Sequence, residues 1–145
     1  MTGTRYAGRR LRNGRVSEPG RIYLVTTVTL GRKPLFTDFH LARRVVLALR
    51  NQPAHALTLA FVLMPDHLHW LIQLESGDLP RVVGRLKAES ARAVGKPIWQ
   101  RGYHDRMARK EDDIRAMARY LVGNPLRAGL VDDIGEYPHW DAIWL

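Results

Sequence analysis

The succession strand, helix, strand, strand, helix, strand, helix predicts an α+β fold of the ferredoxin-like, split βαβ kind. This is an antiparallel four-stranded sheet with helices on one face and a last, C-terminal helix outside that pattern. Three observations carry the prediction. Residues 21–30 alternate on a two-residue period. Two apolar runs, 56–64 and 67–74, are separated only by Pro65-Asp66. Stretches of helical period lie on either side of that pair.

Arg21 to Leu30 sets Ile22, Leu24, Thr26 and Val28 on one side and Tyr23, Val25, Thr27 and Thr29 on the other. Its β-branched residues suit a pleated surface, which makes it the first strand. Thr37 or Asp38 can cap a helix running to about Asn51, with Leu41, Val45, Ala48 and Leu49 inward and Pro53 as its stop. Pro65-Asp66 turns the chain between the hairpin strands Ala56 to Met64 and His67 to Leu74. Ser76-Gly77-Asp78 opens the second helix, and Pro80 sits in its first turn, where a missing N–H costs little. Leu79, Val82, Val83, Leu86, Ala93 and Val94 share one face of it. Arg81, Arg85 and Arg92 gather on the opposite face, and Gly95 and Pro97 end the helix. Ile98 to Arg109 reads as the fourth strand. Glu111-Asp112-Asp113 brings negative charge to the start of the third helix, against the positive end of its dipole. Its buried stripe is Ile114, Met117, Ala118, Leu121 and Val122, and Pro125 ends it at about Gly123 or Asn124. A Trp-rich tail from Tyr137 to Leu145 closes the chain.

With 145 residues, the chain suits one domain at 21–145 preceded by a flexible basic arm at 1–20. The absence of cysteine rules out disulfides and thiolate metal sites. No run approaches the roughly 18 apolar residues of a membrane helix, and no apolar segment follows the basic N-terminus as in a signal peptide. The expectation is a cytoplasmic protein that makes no use of a membrane. Charge points further: 23 Lys and Arg face 14 Asp and Glu, giving +9 and a pI near 10.6. The excess is concentrated. Residues 1–20 hold five arginines, among them Arg9, Arg10, Arg12 and Arg15, against Glu18; residues 81–110 hold nine basic residues against Glu89 and Asp105. Such a pattern suits a polyanion, nucleic acid first.

His67 and His69 are two apart on a strand, so their rings share a sheet face. Leu68, Trp70, Ile72 and Leu74 take the other, and the His face is expected to lie open. Two imidazoles so placed can lean onto one divalent ion, or stand as a pair of surface histidines. Tyr120 and Asn124 are neighbours on a helix face. Asn124 offers a hard oxygen suited to Mg²⁺ or Mn²⁺. By spacing alone, Tyr120 also reads as a core-edge aromatic and Asn124 as a C-cap before Pro125.

The wider context is more specific. Met64-Pro65-Asp66-His67-Leu68-His69 and the run Ile98 to Arg106 resemble the REP-associated tyrosine transposases, a branch of the single-tyrosine HUH transposases. The run Tyr120-Leu-Val-Gly-Asn-Pro-Leu-Arg-Ala-Gly-Leu-Val131 strengthens the resemblance, which also takes in Pro19 to Thr26 and Arg32 to Phe36. One departure is Asp66, where the family usually has Asn; Gly123 within the Tyr120 helix is another irregular feature. The resemblance implies His67, His69 and Asn124 as ligands of Mg²⁺ or Mn²⁺ and Tyr120 as the nucleophile. It also implies single-stranded DNA cleavage and rejoining through a 5′-phosphotyrosine at hairpin-forming repeats.

No nucleotide cofactor is called for, since the chain lacks a Walker-type glycine loop. Nucleoid association in a bacterial cytoplasm follows from the same resemblance, as does a monomer, with a dimer as the alternative. Candidate DNA contacts are the arm arginines, Arg32, Lys33, Arg81, Arg85, Arg92, Arg101, Arg106 and Arg127. Tyr103 is a candidate stacking residue, and Trp99 belongs either to the same platform or to the core. Three rival readings stand beside this one. They are a phosphoesterase using activated water, an inactive hairpin-binding regulator, and Tyr103 in place of Tyr120 as nucleophile.

Overall fold

The structure, a computed structural model, describes residues 20–143. The arm with Arg9, Arg10, Arg12 and Arg15 therefore lies almost wholly outside the described residues. The strands are β1 (Arg21–Val28), β2 (Ala56–Met64), β3 (His67–Leu74), β4 (His104–Ala108) and β5 (Trp140–Ala142). The helices are α1 (Phe39–Arg50), α2 (Leu79–Val94), α3 (Glu111–Val122) and the single turn α4 (Asn124–Arg127). The sheet runs β4-β1-β3-β2-β5, every pair antiparallel. Its first four strands have the order of a split βαβ fold. The fifth corrects the expected four: Trp140–Ala142 pairs with Ala60–Val62 and extends the β2 edge. A three-residue strand carries too little alternation to be seen in sequence.

Local signals hold where they are strong. The Asp38 side chain accepts from the N–H groups of His40 and Leu41, and Asp78 accepts from that of Arg81, so each caps its helix. Gly95 ends α2 in the left-handed region at φ 97°. Helices α1 and α2 bury Val45, Leu49, Val82 and Leu86 against Val25, Leu63, Leu68 and Trp70 on one sheet face. Helix α3 sets Met117, Ala118 and Leu121 against Leu24, Val62 and Leu71 on the other. Each face therefore has its own apolar core, and burial of these side chains supplies the main drive to fold.

Three expectations change. The fourth strand begins at His104 and not at Ile98, because Ile98 and Trp99 turn into the α1/α2 core. There Trp99 bridges Thr29, and its Nε1 donates to Ser90 Oγ at 2.8 Å. Ser90 accordingly takes the inward position on α2, while Ala93 is exposed. The His face of the sheet is not open either; α3 crosses it and leaves His69 only 9% exposed. Among the described residues no helix is long and apolar enough to cross a membrane.

Candidate active site

The site begins at the turn between β2 and β3. His67 and His69 are the first and third residues of β3, and their rings meet edge-on with centroids 4.8 Å apart. Each Nδ1 is already engaged. His67 Nδ1 is 2.7 Å from Asp66 Oδ1, and the other Asp66 oxygen lies 3.3 Å from Arg32 Nε. His69 Nδ1 is 2.8 Å from Thr26 Oγ1, the residue opposite it on β1. Partners on Nδ1 fix the ring planes and leave the two Nε2 atoms for a ligand, the arrangement that supports imidazole coordination.

Burial, followed by the charges of His67 and Arg127, pushes His69 down to about 4, so its ring is neutral at pH 7 and has a lone pair to give. At Asp66, partial burial alone would raise the carboxyl. The hydrogen bond from His67 and the charges of His67 and Arg32 bring it below its ordinary value.

Tyr120 enters from the adjacent layer. It lies near the end of α3, 51% exposed, with its ring centroid 5.8 Å from that of His69. Beyond it Gly123 ends the helix, and α4 starts at Asn124 and packs against β2. Asn124 is half-buried at this bend. Arg127 folds back onto Tyr120, its Cζ 4.3 Å from the ring centroid. Its Nη2 donates to the Tyr120 carbonyl. A cleft of about 620 Å³ opens beside these groups, bounded by Thr26, His69, His104, Arg106, Asp113 and Tyr120.

The structure thus brings His67, His69 and Tyr120 together from two elements and sets Arg106 on the same cleft. Arg32 is close by through Asp66, and Lys33 is exposed in the loop after it. Arg81, Arg85 and Arg92 lie elsewhere. They belong to α2, on the far side of the sheet from α3, where Arg81 faces the capping Asp78 and Arg85 faces Glu89 on the same helix. Arg101 is exposed on the loop before β4. Lys87 donates from α2 to the carbonyls of Gln100 and Gly102 on that loop, at 2.8 and 2.5 Å. Burial pushes Lys87 down to about 8. Tyr103 packs against the α1/α2 core, away from the His69 face, and Trp99 is a core residue.

His104 lies on this cleft as well, a residue that sequence spacing does not single out. The register that pairs it with Thr26 puts it in one cross-strand row with His69. A correctly placed start of β4, with His104 and Arg106 two apart, is the signal that finds it.

For a metal, the donor chemistry fits. Two imidazoles share one sheet face with their Nδ1 atoms engaged, and Asn124 carries a hard amide oxygen on the adjoining bend. Among the described residues no group of three His, Asp or Glu side chains is placed to hold an ion.

Comparison with known proteins bears on the family. No family model matches the chain. A Haemophilus influenzae protein assigned as a REP-associated tyrosine transposase is 24% identical across 83% of this chain and 78% of its own length. The REP-associated tyrosine transposase of Escherichia coli is 25% identical across 72% of this chain and 64% of its own. The chain is similar to the REP-associated tyrosine transposases. Its fold agrees: the solved structure of such a transposase bound to a REP hairpin superposes with a TM-score of 0.72 at 24% identity, over 87% of this chain and 79% of that one. A Deinococcus radiodurans protein assigned as a transposase gives 0.54 at 22% identity, over 77% of this chain and 95% of its own.

Proposed function

We propose that this protein cuts and rejoins single-stranded DNA next to hairpin-forming sequences, with Tyr120 as nucleophile. The observation that carries the reading is the convergence of Tyr120 with His67 and His69 from adjacent layers of the fold. The similarity to transposases, one of them solved on a REP hairpin, supports DNA of this kind as the substrate class.

In the step, the Tyr120 phenol oxygen forms a bond to phosphorus and the bond to the 3′-oxygen breaks. The phenol proton passes through solvent to that leaving oxygen, giving a 5′-phosphotyrosine and a free 3′-OH. One phosphodiester is exchanged for another, so the reverse step rejoins strands without an energy source. His67, His69 and Asn124 would hold Mg²⁺ or Mn²⁺, which supplies charge stabilisation at the phosphate oxygens. Thr26 and Asp66 hold the two imidazoles in place, and Arg106 offers its charge to the strand in the cleft.

The test is a denaturing gel of the protein incubated with Mn²⁺ and a hairpin bearing a single-stranded flank. A DNA–protein adduct is expected with the unmodified chain and with Tyr103→Phe, and none with Tyr120→Phe. Cleaved DNA without an adduct would establish the activated-water reading instead. Hairpin binding with no cleavage at all would leave the protein as a DNA-binding regulator.

A further inference from the structure

Arg127, on the evidence of its charge alone, is a phosphate contact; its geometry is that of something else. One side chain holds both parts of Tyr120, the guanidinium lying over the ring and Nη2 donating to the backbone carbonyl. A cation over an aromatic face is attracted by the ring quadrupole. The planar guanidinium fork can meet ring and carbonyl together, as a flexible ammonium cannot. The carbonyl also belongs to the C-terminal turn of α3, where the helix dipole favours a cation.

Gly123 makes room for this contact. Its φ of −78° is open to any residue, so the backbone does not demand glycine there. The contact does: a Cβ at 123 would stand 2.9 Å from Arg127 Nη1 and 3.2 Å from the Arg119 carbonyl, so the fold could take a larger residue only by moving the end of the arginine away. The irregular glycine of the Tyr120 helix is thus a seat for the arginine four residues on. Without such a hold, a half-exposed tyrosine at a helix end is free to rotate, and loss of alignment slows an in-line attack.

We propose that Gly123 and Arg127 form a clamp that keeps the Tyr120 ring turned towards His69. Arg127 is then a positioning residue for the nucleophile, an inference that rests on the reading of Tyr120 given above.

The experiment compares the unmodified chain with Arg127→Gln and Gly123→Ala on the hairpin substrate. At saturating DNA the rate of adduct formation is expected to fall roughly three- to thirty-fold in both variants, the range of a cation–π contact. Hairpin affinity and its salt dependence stay as they were. A phosphate contact gives the opposite result: weaker binding, a salt slope smaller by about one and an unchanged saturated rate. That outcome overturns the clamp.

A second readout needs no activity. With 3-fluorotyrosine at position 120, a ring held under the guanidinium gives a ¹⁹F shift displaced from that of free 3-fluorotyrosine, and the shift moves back towards the free value in both Arg127→Gln and Gly123→Ala. A shift that is the same in all three proteins would refute the clamp. Absence of an adduct in the unmodified chain would instead sink the nucleophile reading, so the two failures are distinguishable.

Discussion

The Asp66 carboxylate takes one oxygen to His67 Nδ1 at 2.7 Å and turns the other to Arg32 at 3.3 Å. A carboxylate behind an imidazole makes the far nitrogen a better donor to a metal and holds the ring in one orientation. Asp66 stands where the resemblance expects Asn, and in the structure its charge lies between His67 and Arg32. Asp66→Asn should therefore weaken Mn²⁺ binding by roughly tenfold, measured by calorimetry on the DNA-free protein. Its effect on stability should stay within about 1 kcal/mol, since Arg32 is largely exposed. Equal Mn²⁺ affinity in the two proteins would show that the carboxylate does not tune His67.

Thr26 plays the corresponding part for His69, whose ring is more buried than that of His67. Thr26→Val keeps the shape and removes the hydroxyl, leaving the Nδ1 of a largely buried ring without its partner. Stability should drop by about 1–3 kcal/mol in urea unfolding. The adduct-forming rate should fall by roughly tenfold or more as the ring loses its orientation. A variant as stable and as active as the parent would mean that packing alone holds His69.

Much of this arrangement is legible in the chain. The Pro65-Asp66 turn sets the hairpin, and with it the side on which both histidines fall, because side chains alternate with strict period two. Asp38, Asp78 and Gly95 mark helix ends through local chemistry that needs no tertiary partner. What escaped depends on distant contacts. Ser90 points inward because Trp99 Nε1 needs an acceptor. That same burial of Trp99 delays β4 until His104 and so hid His104 from view. Trp140–Ala142 becomes a strand only because the β2 edge is there to pair with it. Within the site, the histidine pair and Tyr120 could be named from sequence, whereas the return of Arg127 onto Tyr120 depends on a helix break whose direction no periodicity encodes.

Two buried histidines give the protein an acid limit. Burial, then His67 and Arg127, pushes His69 down to about 4; burial, then Arg43, lowers His139. An unfolded histidine titrates near 6.5. As pH falls below about 6.5 the unfolded chain takes up protons that the folded chain refuses, so stability is lost progressively towards about pH 4. His69 alone accounts for a loss on the order of 3 kcal/mol across that window. Urea unfolding of the metal-free, DNA-free protein at pH 7 and pH 5 measures it. His139→Phe and His69→Gln should each reduce the difference between the two pH values, and an unmodified chain equally stable at both would contradict the burial of these rings.

The sheet divides the basic residues into two groups that bind DNA unequally if the cleft is the seat of the strand. Arg106 lines the cleft with Tyr120. Arg81, Arg85 and Arg92 project from α2 behind the opposite face, and Arg85 and Arg81 are already drawn to Glu89 at 2.9 Å and Asp78 at 3.9 Å. Each phosphate neutralised by the protein adds about 0.9 to the slope of binding against salt. Arg106→Ala should lower that slope by about one and weaken hairpin binding, while Arg81→Gln, Arg85→Gln and Arg92→Gln combined should leave it nearly unchanged. Fluorescence anisotropy between 50 and 200 mM salt, roughly the range over which such contacts are lost, measures both slopes. A fall of about three units in the triple variant would mean that the hairpin stem wraps onto the α2 side, and the footprint would then have to cross the β4 edge of the sheet to reach Tyr120.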